Sequence, residues 1–125
     1  MSCIHIIEDD VDLLQLLTFY FTSQGYNVCD DYNGDGFGRG EDTASDLFLI
    51  DINLADKSGL DICEELKRSG HHAVIMMSAI DNLPLLARLC RADDYIRKPF
   101  SLTDIKSKVD LLLNSGRTSL QPAHN

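Results

Sequence analysis

The chain is poor in positive charge. Eleven Lys and Arg stand against twenty Asp and Glu, a formal net charge of −9 over 125 residues. Direct binding to nucleic acid or to an anionic membrane needs basic patches, so both are set aside. No apolar run approaches the length that crosses a bilayer, and His5, Glu8, Asp9 and Asp10 interrupt the N-terminal stretch where a signal peptide would need one. No two of the four cysteines (Cys3, Cys29, Cys63, Cys90) are close in sequence, which argues against a zinc cluster or a disulfide framework and favours reduced thiols in a cytoplasmic protein. The histidines lack ligand spacing: His71 and His72 are adjacent, His5 falls in an apolar run and His124 near the end. Internal repeats are missing too. What remains is an acidic chain of ordinary composition, 44% hydrophobic, of a size that forms one domain with a real core.

The apolar segments come in two periods. Cys3–Ile7, Tyr26–Cys29, Leu47–Ile50, Ala73–Met77 and Asp94–Arg97 read as short strands, the third an unbroken apolar run of the kind buried on both faces of a parallel sheet. Between them lie helical patterns. Leu13, Leu14, Leu17, Tyr20 and Phe21 recur at helical spacing before Gly25. Leu60, Cys63 and Leu66 mark a second helix that ends near Ser69-Gly70. Leu83, Leu86, Leu89 and Cys90 follow a cap at Asp81 or Asn82, with Pro84 in the first turn. Leu102, Ile105, Val109 and Leu112 follow Ser101, with Asp104 in a capping-box-like position and a stop at Gly116. Strands alternating with helices give an α/β domain with a parallel sheet over residues 1–114, and residues 115–125 read as a disordered tail or the start of a linker.

The strand ends carry the chemistry. Strand one ends at Glu8-Asp9-Asp10, strand three at Asp51, strand four at Ser78 and strand five near Lys98. In a parallel sheet these ends share one rim. Two acidic groups meeting there repel unless a cation lies between them, and hard oxygen donors suit Mg²⁺. Asp51 then has the setting of a carboxylate nucleophile that accepts a phosphoryl group, with a Lys ammonium and a Ser hydroxyl to meet the phosphoryl oxygens. Singly, each residue has a plainer use: Glu8–Asp10 as a helix N-terminus, Ser78 as a turn, Lys98 as a solvated charge, Tyr95 as a core aromatic.

Four stretches in this order, IIEDDVDLL at Ile6–Leu14, LIDINLADKSGLDIC at Leu49–Cys63, IMMSA at Ile75–Ala79 and ADDYIRKPF at Ala92–Phe100, resemble the receiver domain of response regulators in two-component signalling, similar to chemotaxis regulators. The resemblance covers Cys3 to about Leu113. It implies a flavodoxin-like, doubly wound, five-stranded parallel sheet of order 2-1-3-4-5 with helices on both faces. It makes Asp51 the phosphoacceptor, Asp9 a direct Mg²⁺ ligand, Glu8 a ligand through water and Asn53 a donor of its backbone carbonyl. Lys98 would pair with the phosphoryl group, before a cis bond to Pro99. Ser78 and Tyr95 would be the switch residues, reshaping the face formed by the helix before the fifth strand, that strand and the last helix, a face that also suits a homodimer. The phosphodonor would be a sensor histidine kinase or histidine phosphotransfer protein, with an output protein or fused effector that the sequence does not name. Such a domain is a signalling module, not an enzyme in its own right.

Three features depart from the pattern. Ala55 stands where the family usually has Pro. The Ser78–Lys98 stretch is short and has Arg91 where Gly is frequent, so its helix should be short or shifted. Asp30–Asp42 has four glycines in place of a regular helix, and Asp31, Asn33, Asp35, Gly36 and Asp42 resemble a Ca²⁺-binding loop. Gly38 at an apolar position, a preceding strand and Asp42 in place of Glu favour a mobile surface loop instead. Two other functions fit less well. A receiver-like module that works without phosphorylation conflicts with the filled catalytic positions, and a small-metabolite phosphatase wants a second acid where Asn53 stands.

Overall fold

The computed structural model describes residues 2–33, 45–70 and 72–119. Five strands and four helices lie among them, alternating except from β2 to β3: β1 (Cys3–Ile7), α1 (Val11–Ser23), β2 (Asn27–Asp31), β3 (Leu47–Asp51), α2 (Gly59–Ser69), β4 (Ala73–Ser78), α3 (Leu83–Leu89), β5 (Asp94–Arg97) and α4 (Leu102–Ser119). All pairings are parallel and the sheet order is β2-β1-β3-β4-β5. This is the doubly wound flavodoxin-like arrangement that the strand pattern and the resemblance implied.

Burial along the strands explains the order. Every residue of β3 is buried, as an interior strand covered on both faces must be, while the edge strands β2 and β5 are largely half-buried or exposed. Alternate side chains then feed two cores. Leu47 and Leu49 of β3 join Ile4, Ile6, Ile75 and Met77 under Leu14, Leu17 and Phe21 of α1 and Ile105 and Val109 of α4. Phe48 and Ile50 point the other way, with Ile7, Val74 and Met76, onto Ile62, Cys63 and Leu66 of α2 and Leu83 and Ala87 of α3. Helices on opposite faces follow from this period of two.

The helix ends hold several local findings. Asp10 caps α1, accepting hydrogen bonds from the Asp12 and Leu13 amides, and Ser58 caps α2 through Leu60. Ser101 accepts from the Asp104 amide at 3.1 Å, as the capping pattern suggested. Asn82 occupies the cap position of α3 but its side chain makes no cap bond, and that helix has only seven residues. Its exit takes Arg91 into the left-handed region at φ 65°, a conformation that glycine adopts without strain. The backbone of α4 runs through Gly116 to Ser119 rather than stopping at the glycine; a single glycine near a helix end costs only about 1 kcal/mol. Cys63 and Cys90 are buried thiols, whereas Cys3 is half-buried and Cys29 exposed.

Of the calcium-like motif, Asp35, Gly36, Gly38 and Asp42 lie outside the described residues. Asp31 is described: it closes β2, is buried, and faces His5 Nε2 at 3.2 Å. His71 also lies outside the described residues.

Candidate functional site at the carboxyl rim

Parallel strands bring Glu8, Asp51, Ser78 and Lys98 to one edge of the sheet. Glu8 directly follows β1 and is fully buried; Asp51 ends β3 and Ser78 ends β4, both buried. The ligand oxygens of Glu8, Asp9 and Asp51 all lie within 4.8 Å of one another. Lys98 Nζ reaches into this group, 2.8 Å from Glu8 Oε1 and 3.3 Å from Asp51 Oδ2. The Lys98-Pro99 bond is cis.

Backbone donors fix the carboxylates. The Asn53 amide donates to Asp51 Oδ1 at 3.1 Å, and the Asp10 amide donates to Glu8 Oε2 at 3.1 Å. Asp10 therefore both starts α1 and orients Glu8, a positioning role that its neighbours in the acidic run obscured in the sequence. The loop after Asp51 folds back on its strand: Asn53 bridges Ser58, and the Gly59 amide donates to the Ile52 carbonyl at 2.9 Å. A Cβ on Gly59 would sit 2.1 Å from the Asp51 carbonyl oxygen, so only glycine closes this loop.

The electrostatics are unbalanced. Burial, with the nearby Asp51 carboxylate adding to it, outweighs the Lys98 ammonium and the Asp10 amide and pushes the Glu8 carboxyl up to about 7. Lys98 is driven down by burial but more strongly up by Glu8 and Asp51, and stays charged. Glu8 Oε1 is fully buried and meets Lys98 Nζ at 2.8 Å, an ammonium that it shares with Asp51. One ammonium serves two carboxylates, and a third, that of Asp9, lies beside them. That donor set fits a divalent cation with oxygen ligands.

The remaining site residues face elsewhere. The Ser78 hydroxyl accepts from the Ile80 amide at 3.2 Å. Tyr95 is 37% exposed on β5, with Lys108 Nζ 5.9 Å from its ring centre, so it is a surface aromatic and not a core one. Lys108 also pairs with Asp94 at 3.2 Å. Arg97, which the sequence marked only as a strand residue, sends its guanidinium to the Ile80 carbonyl at 2.7 Å and the Asp81 carbonyl at 3.4 Å. A charged residue between a buried isoleucine and the site lysine was the available signal.

A buried acidic cluster and a lysine at the mouth of a 2-1-3-4-5 parallel sheet define a receiver-type module. The family model described as "Response regulator receiver domain" matches residues 4–110, and the chain belongs to that family. Among curated proteins it is 32% identical to the response regulator ArlR of Staphylococcus aureus over 116 residues, covering 90% of this chain and 53% of that protein. The chain thus spans about half the length of the curated relatives it matches. Among solved structures it is similar to a CheY-like receiver domain protein of Methanospirillum hungatei, with TM-score 0.87 and 26% identity over 95% of this chain and 98% of that one. It is also similar to the response regulator TrrA of Thermotoga maritima in complex with Mg²⁺-BeF, with TM-score 0.79 and 26% identity over 90% and 99% of the two chains. No helix among the described residues is long and apolar enough to cross a membrane.

Proposed function

We propose that this receiver domain takes a phosphoryl group onto Asp51 from a phosphohistidine on a sensor kinase or phosphotransfer protein, and signals through the face made by α3, β5 and α4. The observation that carries this reading is the convergence of Asp51, Glu8, Asp9 and Lys98, three carboxylates and one ammonium at one rim. An Asp51 carboxylate oxygen forms the new bond to phosphorus, the P–N bond to the donor imidazole breaks, and that nitrogen keeps the electron pair. Lys98, 3.3 Å from Asp51, meets the charge on the phosphoryl oxygens, and the Asn53 amide keeps the carboxylate oriented.

Asp9, Asp51 and the Asn53 carbonyl would hold Mg²⁺, with Glu8 acting through water. The cation supplies charge neutralisation at the transferred group, the main requirement of phosphoryl transfer. Ser78 turns from Ile80 toward the phosphoryl group, and Tyr95 leaves the surface for the space behind it. Exposed Leu85 and Leu89 on α3 then belong to the face that meets a second copy or an output protein in the cytoplasm.

Incubation with a small-molecule phosphodonor and Mg²⁺ tests the assignment. Acid-stable mass addition of one phosphoryl group is expected for the wild type, with loss of more than about a hundredfold in rate in Asp51→Ala. Equal labelling of Asp51→Ala would remove Asp51 from the mechanism, and no labelling of either would favour a module that works without phosphorylation.

A further inference from the structure

Ser78 and Arg97 are register partners across β4 and β5, and the Lys98 amide donates to the Ser78 carbonyl at 2.9 Å. Beyond that pairing the two strands part, and the loop Ala79–Asn82 leads into α3. Ile80 is gripped at both ends of its peptide groups there. Its amide donates to the Ser78 hydroxyl at 3.2 Å, and its carbonyl accepts from Arg97 Nη1 at 2.7 Å. Arg97 Nη2 takes the next carbonyl, that of Asp81, at 3.4 Å, and Asp81 Oδ1 lies 4.0 Å from Nη1. The helix that follows contributes little anchorage, since Asn82 makes no side-chain cap bond. A planar guanidinium that spans two successive carbonyls holds a loop in one geometry better than a single ammonium would.

We infer that Arg97 is a positioning residue for the switch: it latches the Ile80–Asp81 segment in the arrangement that keeps the Ser78 hydroxyl on the Ile80 amide. The latch therefore opposes the turn of that hydroxyl toward a group on Asp51. This inference rests on the proposed phosphoryl acceptance at Asp51. A receiver with two arrangements of one loop responds to a ligand only through its differential affinity for them. A contact present in the resting arrangement alone lowers apparent affinity for whatever selects the other.

Beryllofluoride, a phosphoryl mimic, tests the latch when titrated with Mg²⁺ and followed by fluorine NMR and calorimetry. Wild type is expected to bind. Arg97→Ala should bind about threefold to tenfold more tightly, the range for a half-exposed charge-assisted hydrogen bond. Arg97→Lys, which keeps the charge but not the two-carbonyl grip, should shift less. In a Ser78→Ala background Arg97→Ala should change nothing, because the hydroxyl whose turn it opposes is gone. Simple electrostatics predicts the reverse sign, since removing a cation near the rim weakens anion binding. Weaker or unchanged binding in Arg97→Ala, or an equal shift in the Ser78→Ala background, overturns the latch while leaving the phosphoacceptor reading intact. Failure of the wild type to bind beryllofluoride overturns both. Thermal melts of the variants show whether each is folded over the titration range.

Discussion

Two lysine–carboxylate clusters sit at opposite ends of the sheet and are solved in opposite ways. At the amino end Lys67, from α2, is 2.8 Å from Asp93 Oδ2 and also donates to the His72 carbonyl at 2.9 Å. Asp93 Oδ2 in turn accepts from the Val74 amide at 2.8 Å, joining the starts of β4 and β5. One cation meets one anion, and each finds backbone partners. At the carboxyl rim Lys98 faces two buried carboxylates, Asp9 lies beside them, and the Glu8 carboxyl is held near 7. The first cluster is a satisfied staple. The second is short of positive charge, which marks a place suited to a further cation.

The sharpest way to break this contrast is to remove the central acid. Asp51→Asn should lose phosphoryl labelling by more than about a hundredfold, yet raise the metal-free stability by about 1 kcal/mol as like-charge repulsion falls; chemical denaturation beside the labelling assay reads both. A fall in stability would mean that the rim is balanced after all.

The pH dependence comes next in size. With the folded-state value raised to about 7 from an ordinary 4.5, the folded chain holds a proton on Glu8 through this window that the unfolded chain has lost. Stability of the metal-free wild type relative to Glu8→Gln should therefore fall as pH rises from about 4.5 to 7, by at most about 3 kcal/mol. Added Mg²⁺ should flatten the slope. Urea melts at stepped pH with and without the cation measure it, and a flat difference would contradict the raised value.

Lys98→Met should destabilise the metal-free protein by about 2 kcal/mol at pH 8, above the Glu8 value of about 7, with partial recovery in Mg²⁺. Asp93→Ala, at the satisfied cluster, should cost about 1 kcal/mol by stripping the Val74 amide and Lys67 of an acceptor. Its cost should be indifferent to Mg²⁺, and its labelling rate unchanged. A Mg²⁺-sensitive loss in Asp93→Ala would erase the distinction between the two ends.

The sequence made most of this fold legible because strand and helix periods were clean. The unbroken Leu47–Ile50 run marked a two-faced strand, and it lies at the sheet centre with every residue buried. Element ends were less readable. The second strand was placed at Tyr26–Cys29 and runs Asn27–Asp31, since polar Asp30 and Asp31 belong to an edge whose side chains need not be apolar. The last helix continues past Gly116 because neighbouring turns outweigh one glycine's propensity. Of the site, the residues at strand ends were visible because topology alone brings them together. The Arg97 grip and the Asp10 tether were not, because both depend on where a side chain reaches across a loop. The raised Glu8 value was equally invisible, being a matter of burial.

The contact at Gly59 also has a mechanical consequence. The first turn of α2 rests against the Asp51 carbonyl with no room for even a methyl group between them. Two bodies in such contact have no slack, so a displacement of the strand end is passed to the helix start within the same motion. Any rearrangement that shifts the backbone at Asp51 thus has a second outlet besides the β4–α3 loop, a stiff joint that levers α2 on the opposite side of the loop after Asp51.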